Sequence, residues 1–266
     1  MKLVDVVLEV TDARAPLSTH LPDIDGLTVN KDIIMVINKA DLADKKITDL
    51  WIKHFEHQGT PAVAVDTLRK TGFKQLYDLI RRAKKKTLLK ATRCIVIGVP
   101  NVGKSSLINQ MVGRKSAKTA DTPGVTRSKM WLKVDNSLEL LDTPGILWPK
   151  FEERATGIKL AILGSIKQEL LNFEQLSLAL IKYLSSNYPR SIQSRYKVCP
   201  YIPPTEILEK IAQNRGFLVA GGAFDIDRSA KTVINEFRQG KLGGISLERP
   251  DEKGGLWAEI SNQDIV

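Results

Sequence analysis

The sequence predicts an α/β protein in two parts: a parallel sheet with helical connections over residues 1–150, and a smaller all-helical domain over residues 151–266. Two observations predict this division. Short runs rich in Val, Ile and Leu alternate with amphipathic segments in the first part, which is typical of a parallel sheet with helical crossovers. From about Glu152 the apolar residues recur at helical spacing and little strand signal remains.

The strands are expected where short apolar runs lie between turn signals. They are LVDVVLEV, DIIMVIN, PAVAVD, RCIVIG, MWLKVD and LELLD, at residues 3–10, 32–38, 61–66, 93–98, 130–135 and 138–142. The last two strands predict a hairpin around Asn136 and Ser137. Helices are expected over 45–58, over 72–86 and from about Lys104. The polar, Gly- and Pro-containing stretch 113–128 predicts a mobile loop.

In the second part, four segments carry helical periodicity. They are residues 152–171, 173–188, 206–216 and 227–240. Gly216 and Gly240 are expected to end helices. Residues 189–204, which contain four prolines, are expected to form a loop.

The charge is unevenly distributed. The net charge is +10, and residues 1–150 hold 25 Lys and Arg against 16 Asp and Glu, whereas residues 151–266 hold 15 against 14. The densest run, RRAKKKTLLKATR at 81–93, has seven basic residues and no acidic one. Composition alone favours equally a solvated helix face or linker and a contact for nucleic-acid phosphates.

Other classes of protein are disfavoured. Two isolated cysteines, Cys94 and Cys199, make neither a disulfide framework nor a zinc cluster. Cys94 lies in the run CIVIG and is expected to be a buried small hydrophobe. No apolar run reaches the length of a membrane span, and no N-terminal stretch looks like a signal peptide. Together with the absence of a disulfide framework, this makes the cytosol the expected compartment.

The segment GVPNVGKS at 98–105 fits the phosphate-loop pattern G-x-x-x-x-G-K-[ST] between a predicted strand and a helix. Backbone N–H groups and the helix N-terminus would face phosphates. Lys104 is expected to reach the β- and γ-phosphates, and Ser105 to supply a hydroxyl to Mg²⁺. A chance Gly-rich turn is the alternative, but the motif and its context agree.

Asn38, Lys39, Ala40 and Asp41 follow a predicted strand directly, where a ligand-binding loop belongs in an open α/β sheet. The Asp41 carboxylate can accept both N1–H and N2–H₂ of guanine. Adenine offers no such donor pair and would leave the charge unpaired. The pair of motifs therefore predicts a site for GTP and GDP, with a short third loop at Asp66 and Thr67.

The sequence Asp-Thr-Pro-Gly occurs at 121–124 and at 142–145. Asp142 follows the apolar run LELL and is expected to end a strand beside Mg²⁺, with the Gly145 N–H on the γ-phosphate. Asp121 follows a polar stretch and would lie in a first switch loop. There Thr126 is the candidate that closes on Mg²⁺ when GTP is bound.

The order of these motifs is unusual, because the guanine reader at 38–41 precedes the phosphate loop. This predicts a P-loop GTPase sheet with a circularly permuted order of motifs, in which residues 81–93 join the former ends. The second switch then leads directly into the helical domain.

The sequence resembles the circularly permuted ribosome-assembly GTPases of the YlqF/RbgA subfamily. The resemblance rests on DARAP, NKAD, GVPNVGKSSLIN, TPGVT, LLDTPGILWPKFE, RGFLVAGGAFD and GGISLERP, and spans nearly the whole chain. It implies a slow GTPase that acts late in assembly of the large ribosomal subunit, contacts rRNA, and is stimulated by the particle. It also implies potassium as a cofactor, through Asn101. The implied nucleotide residues are Asn38, Lys39, Ala40, Asp41, Asp66, Thr67, Asn101, Val102, Gly103, Lys104, Ser105, Ser106 and Gly145, with Lys104, Thr126 and Gly145 in catalysis and Ser105, Thr126 and Asp142 at the metal.

Two departures keep a second function open. Ile146 stands where many GTPases have a glutamine that orients water. The sequence also lacks the N-terminal aromatic-Pro-Gly-His element usual in relatives. Both favour the alternative of a guanine-nucleotide-gated rRNA-binding module with negligible hydrolysis.

Overall fold

A computed structural model of the chain describes residues 4–22, 24–28, 31–83, 91–113, 130–142, 153–252 and 255–261. The chain divides into two compact units. The first is Met1–Pro149 together with Glu248–Pro250, and the second is Lys150–Leu247 together with Asp251–Val266.

The first unit is built on a six-stranded sheet in the order β3-β2-β1-β4-β6-β5. The strands are β1 (Val6–Asp12), β2 (Asp32–Asn38), β3 (Ala62–Val65), β4 (Thr92–Ile97), β5 (Met130–Lys133) and β6 (Leu138–Asp142). Among these six strands, β5 alone runs antiparallel, in a hairpin with β6. All seven residues of β1 are buried, as expected for a central strand covered on both faces.

The described connections between these strands contain the helices α1 (Ile24–Leu27), α2 (Lys45–His57), α3 (Phe73–Ala83) and α4 (Lys104–Val112). The Asp44 side chain accepts from the backbone N–H groups of Lys46 and Ile47 and so caps α2. The spacing of Ile47, Trp51 and Phe55 places their side chains on one helix face, and they are buried in a cluster with residues of β2.

The strand register brings four strand ends to one edge of the sheet. Asn38, the last residue of β2, pairs with Asp12 of β1 on one side and with Val65 of β3 on the other. Glu9 of β1 pairs with Ile97 at the end of β4. The loops that follow β1, β2, β3 and β4 therefore start from the same edge, where ligands bind in open α/β sheets.

The second unit is helical. Its helices are α5 (Arg154–Leu163), α6 (Phe173–Asn187), α7 (Pro189–Tyr196), α8 (Pro204–Arg215), α9 (Ile226–Arg238) and α10 (Gly255–Ser261). The rings of Tyr183 and Trp257 stack at 4.8 Å between centroids. Arg238 donates to the carbonyls of Ala161 and Ile162 at 2.7 and 2.9 Å, and so satisfies acceptors at the C-terminal end of α5.

The α/β class, the strand positions and the hairpin are confirmed. The predicted loop over 189–204 is wrong in its first half, because α7 occupies Pro189–Tyr196. Proline at the first helical position is favourable, since its missing N–H has no partner there in any helix. The expected helix over 152–171 ends early, because Gly164 takes a left-handed backbone with φ of 83°.

Gly216 ends α8 with φ of 64°, as predicted. Among the described residues, no helix combines the length and the apolar character that crossing a membrane requires. Most of the predicted mobile loop at 113–128, and most of the basic run at 81–93, lie outside the described residues.

Candidate nucleotide site

The turn between β4 and α4 passes through three residues with left-handed backbone: φ is 150° at Gly98, 63° at Asn101 and 98° at Gly103. A Cβ atom at Gly98 would lie 2.3 Å from the carbonyl oxygen of Val10, and one at Gly103 would lie 2.2 Å from Nδ2 of Asn38. Both positions therefore require glycine. A tight turn of this kind before a helix directs successive N–H groups to one concavity, the form of an anion-binding loop.

Lys104 is the first residue of α4, and only 7% of its surface is exposed. Its ammonium donates to the carbonyl oxygens of Gly98 at 3.0 Å and of Val99 at 2.8 Å. The positive charge is thus held against the loop itself. Ser105 and Ser106 follow in the first turn of the helix and are half-buried. Val102, inside the loop, is buried.

The remaining predicted phosphate and metal residues are described only in part. Thr126 and Gly145 lie outside the described residues. Asp142 is the last residue of β6, where its backbone pairs with Val96 of β4. It therefore ends a strand next to the one that carries the phosphate loop, as the sequence predicted.

The predicted base-reading loop begins at the end of β2. Asn38 is fully buried, and its Nδ2 donates to the carbonyl of Val102 at 2.8 Å. Its Oδ1 is also buried, and no described residue donates a hydrogen bond to it. Lys39 adopts a left-handed backbone with φ of 58°, and Ala40 then opens a short 3₁₀ turn, Ala40–Leu42. The sequence predicted both loops, and the structure joins them.

Asp41 lies in that 3₁₀ turn and is half-buried. Burial raises the pKa of its carboxyl above the ordinary value, and the charge of Asp66 raises it further. A backbone hydrogen bond and the charges of Arg69 and Arg14 act in the opposite direction. The surroundings of Asp41 therefore destabilise its charged form, and hydrogen-bond donors of a ligand would stabilise it.

Asp66 and Thr67 follow β3 at the same edge of the sheet. The Asp66 side chain is buried, and its Oδ1 accepts from the backbone N–H groups of Leu68 and Arg69 at 2.8 and 3.0 Å. This carboxylate thus holds its own turn, while Thr67 is half-buried beside it. A contact of either residue with nucleotide remains a prediction.

The structure adds two residues that the sequence did not single out as site residues, Asp12 and Arg14. Their side chains are each 1% exposed and form an ion pair at 2.7 Å, and Lys39 Nζ lies 3.1 Å from the same carboxylate. Burial alone would raise the pKa of Asp12, but the charges of Arg14 and Lys39 and the hydrogen bonds from Arg14 outweigh it and hold the pKa well below its usual range. In the sequence, the position of Asp12 could have indicated a site residue, because Asp12 ends a strand at the sheet edge where Asn38 also lies.

Several known proteins are similar to this chain. A family model described as "50S ribosome-binding GTPase" matches residues 93–192. The protein named ribosome biogenesis GTPase A from Priestia megaterium is 42% identical over 264 residues, which cover 95% of this chain and 91% of the relative. Its namesake from Thermotoga maritima is 31% identical over 252 residues, covering 95% of this chain and 88% of the relative.

Solved structures agree as well. The GDP-bound structure titled TM YlqF superposes with a TM-score of 0.73 at 30% identity, covering 94% of this chain and 97% of that one. The GNP-bound YlqF from T. maritima gives a TM-score of 0.69 at 28% identity, covering 95% and 96%. With relatives above 30% identity along nearly its whole length, the chain belongs to the ribosome biogenesis GTPase A family of GTPases.

Proposed function

We propose that this protein binds and hydrolyses GTP with Mg²⁺ and acts as an assembly factor in late maturation of the large ribosomal subunit, where it contacts rRNA. The observation that carries the nucleotide part is the junction of two loops. Asn38 Nδ2 donates to the Val102 carbonyl at 2.8 Å, and Lys39 Nζ donates to the Asn101 carbonyl at 2.5 Å. A base reader and a phosphate loop are thereby held in one site, as a nucleotide requires.

The chain's own groups divide the work of binding. The N–H groups of residues 101–106 surround the phosphates, and the Lys104 ammonium exchanges its carbonyl partners for phosphate oxygens. The Asp41 carboxylate accepts from N1–H and N2–H₂ of guanine, which favours its ionised form. Asp66 and Thr67 lie on the ribose side. These assignments use the same residues that the sequence predicted.

The described residues fit a Mg²⁺ ion of the GTPase kind. None of them form a group of three or more His, Cys, Asp or Glu side chains that could hold a metal. A GTPase metal needs no such cluster, because phosphates, water and a phosphate-loop hydroxyl supply most of its ligands. Ser105 offers that hydroxyl in the first turn of α4, and we assign Thr126 and Asp142 to the same ion. When bound, Mg²⁺ neutralises charge that develops on the transferred phosphate.

Hydrolysis is expected to be slow in the isolated protein. Lys104 and the Gly145 N–H stabilise negative charge on the γ-phosphate, and Thr126 closes the first switch, but Ile146 has no group that can orient water. The ribosomal particle would then complete the site. Potassium next to Asn101 would add a further positive charge, as the family resemblance implies.

The ribosomal part rests on the names of relatives and on charge. A relative of 42% identity is named ribosome biogenesis GTPase A, and the basic excess of this chain lies in residues 1–150. A polyanionic partner fits such a surface. The helical domain predicted at residues 151–266 is assigned to rRNA or ribosome contact, and work on ribosomal particles would place the protein in the cytoplasm.

The test of nucleotide identity is Asp41→Asn. The amide would donate where guanine also donates, so GDP affinity should fall at least about 100-fold, whereas xanthosine diphosphate, with an oxygen at that position, should bind better. The wild-type chain should bind GDP much more tightly than ADP. Equal affinity of the variant for GDP and xanthosine diphosphate would overturn the assignment of Asp41.

The test of activity is GTP turnover in Mg²⁺, in potassium or sodium, with and without large ribosomal subunits. Little turnover alone and strong stimulation by the subunit supports the assembly GTPase. Ile146 favours the second candidate, a gated rRNA binder with negligible hydrolysis. GTP-dependent binding to the particle without stimulated turnover would establish that candidate instead.

A further inference from the structure

Asp12 and Arg14 form a buried ion pair at the edge of the sheet that carries the candidate nucleotide site. Both side chains are 1% exposed. Arg14 donates from Nε to Oδ1 at 2.8 Å and from Nη2 to Oδ2 at 2.7 Å, the two-pronged geometry of guanidinium on carboxylate. Burying two charges is costly, and a well-packed apolar pair is often equally stable. Stability alone therefore gives a weak reason for this pair.

The charge of Lys39, which lies next to this ion pair, gives a better reason for it. Lys39 Nζ lies 3.1 Å from Oδ2 of Asp12 and donates to the Asn101 carbonyl at 2.5 Å. The Asp12 carboxylate thus receives Arg14 on one edge and Lys39 beside it, while the backbone N–H of Arg14 also donates to Oδ1 at 3.1 Å. Four donors on two oxygens fill the acceptor capacity of the carboxylate and fix its orientation.

The chain of contacts connects three loops. Asp12 is the last residue of β1, Lys39 follows β2, and Asn101 lies in the turn after β4. Lys39 adopts a left-handed backbone, and 24% of its side chain is exposed. A long, partly exposed lysine has many rotamers, and fixing it requires specific partners. Asp12 is the charged partner that holds its ammonium at the phosphate loop.

We propose that Asp12 is a positioning residue of the nucleotide site, which acts through Lys39 to hold the base-reading loop against the phosphate loop, with Arg14 orienting the Asp12 carboxylate. This inference rests on the guanine-nucleotide site proposed above. In this role Asp12 acts on the nucleotide only through Lys39. Its removal should loosen the position of the base-reading loop while the Asn38–Val102 hydrogen bond remains.

A double-mutant cycle tests whether Asp12 acts through Lys39. Asp12→Asn, Lys39→Met and the double variant are compared by titration with fluorescent GDP. Loss of one charge-assisted bond predicts about tenfold weaker binding for Asp12→Asn. The double variant should bind no more weakly than Lys39→Met alone, because the path through Lys39 is already gone. Additive losses would overturn the proposal, and so would wild-type affinity in Asp12→Asn.

The ratio of GDP to ADP affinity shows whether Asp12 positions the base-reading loop or only stabilises the fold. Partial unfolding lowers the apparent affinity for every nucleotide in proportion and leaves the ratio of GDP to ADP affinity unchanged. A loosened base loop lowers that ratio. Asp12→Asn should therefore reduce the GDP-to-ADP ratio, and an unchanged ratio would refute positioning. Asp78→Asn, in the exposed pair between Asp78 and Arg81 at 3.0 Å, is the matched control, and its affinity and ratio should equal those of the wild type.

Asp12→Asn leaves Arg14 buried without its full counter-charge, which can unfold the protein. Two further variants keep the proposal testable. Asp12→Asn with Arg14→Gln removes both charges and should still show the lowered ratio. Arg14→Lys keeps the charge but loses the paired bonds, so it should weaken GDP binding less than Asp12→Asn. If the wild-type chain binds no guanine nucleotide, the proposed function fails. If it binds tightly and these variants match it, only the role of Asp12 fails.

Discussion

Asn38 and Val102 are 64 residues apart in the chain, yet the side-chain amide of the first donates to the backbone carbonyl of the second at 2.8 Å. Both groups are buried. This bond joins the loop after β2 to the turn after β4, so each loop defines the position of the other. Substitutions in the turn after β4 should therefore change the position of the base-reading loop after β2.

Gly103→Ala should abolish nucleotide binding. The added Cβ would lie 2.2 Å from Asn38 Nδ2, so the Asn38–Val102 bond must break, in addition to backbone strain at φ of 98°. Gly113→Ala is the control, since φ there is 72° but nothing lies within 4 Å of the added atom. Strain of roughly 1–2 kcal/mol should be common to both variants. GDP titration and thermal unfolding measure the difference, and equal GDP affinity in the two variants would contradict this role of Asn38.

The raised pKa of Asp41 predicts opposite effects on stability and binding. Because burial and Asp66 raise that pKa, the carboxyl favours the folded state when protonated, and this contribution is lost as pH rises through the folded-state pKa. Asp41→Asn should therefore raise the melting temperature of the nucleotide-free protein at pH 7. The same variant should lose GDP affinity, as argued above.

In the wild type, GDP affinity should fall as pH drops through the pKa of Asp41, since the protonated carboxyl accepts only one of the two guanine donors. Titrations with GDP between pH 4 and 7 measure this, with Asp41→Asn as the reference that lacks the titrating group. A wild-type GDP affinity that does not fall across this range would contradict the predicted role of the charge.

Glu236 should stabilise the helical unit at neutral pH. Hydrogen bonds from Arg195 hold its pKa below the usual value against the opposing effect of burial, with further lowering by Tyr196 and Arg215. A carboxyl whose pKa is lower in the folded than in the unfolded state stabilises the fold at pH values above its unfolded-state pKa. This stabilisation is lost as the pH falls through its folded-state pKa. Glu236→Gln should cost about 1–2 kcal/mol at pH 7 and flatten the loss of stability below about pH 4.5.

The control for Glu236 is Asp227→Asn, in the exposed pair with Lys231 at 2.6 Å, which should change stability by less than about 0.5 kcal/mol. Urea unfolding at several pH values gives both quantities. A Glu236→Gln variant as stable as the control would show that the arginines around Glu236 contribute nothing net.

The two thiols should differ sharply in reactivity. Cys94 is buried in β4, and burial, with a smaller effect of Asp5, raises the pKa of its thiol to about 12. Cys199 is exposed. A thiol reagent at pH 8 should label Cys199 rapidly and Cys94 only after unfolding, because the thiolate is the reactive form. Mass spectrometry of the labelled native protein checks this, and rapid labelling of Cys94 would contradict the packing of the sheet.

The basic run at 81–93 remains a sequence prediction. Changing Lys84, Lys85 and Lys86 to Gln should weaken ribosome binding and lower the slope of log affinity against log salt by up to about 0.9 for each phosphate that is no longer neutralised. Changing three exposed lysines of α2, Lys45, Lys46 and Lys53, serves as the control. An equal effect of both triple variants would mean that the run is an ordinary solvated surface.

Local patterns were enough to predict most of the sheet and the two loops. β2 and β4 are short apolar runs, and each is followed directly by a residue with left-handed backbone, Lys39 and Gly98 respectively. Close contacts at positions 98 and 103 require the glycines of the motif. The hairpin at Asn136 and Ser137 needed only its turn signal. Such features depend on neighbours in sequence, which is why the sequence reveals them.

Long-range contacts could not be predicted in the same way. The ion pair of Asp12 and Arg14 matters because the sheet register sets it beside Lys39, and that register is not visible in either segment alone. The helix α7 was missed because a stretch containing four prolines indicates a loop, although Pro189 stands where a helix accepts it. Glu248 was likewise invisible, since its contacts are with residues more than 190 positions earlier.

Glu248 contacts residues of the first unit that are translated much earlier than it is. Its carboxylate accepts from the backbone N–H groups of Leu17 and Ser18 and from the Ser18 hydroxyl, and its backbone carbonyl accepts from the buried indole of Trp51. Residues 17, 18 and 51 leave the translating ribosome long before residue 248 is made. Until residue 248 has been translated, these donors can bond only to water, and the first unit lacks the acceptor that joins them. The GTPase unit of this chain is therefore completed only after helices α5 to α9 of the second unit have been made.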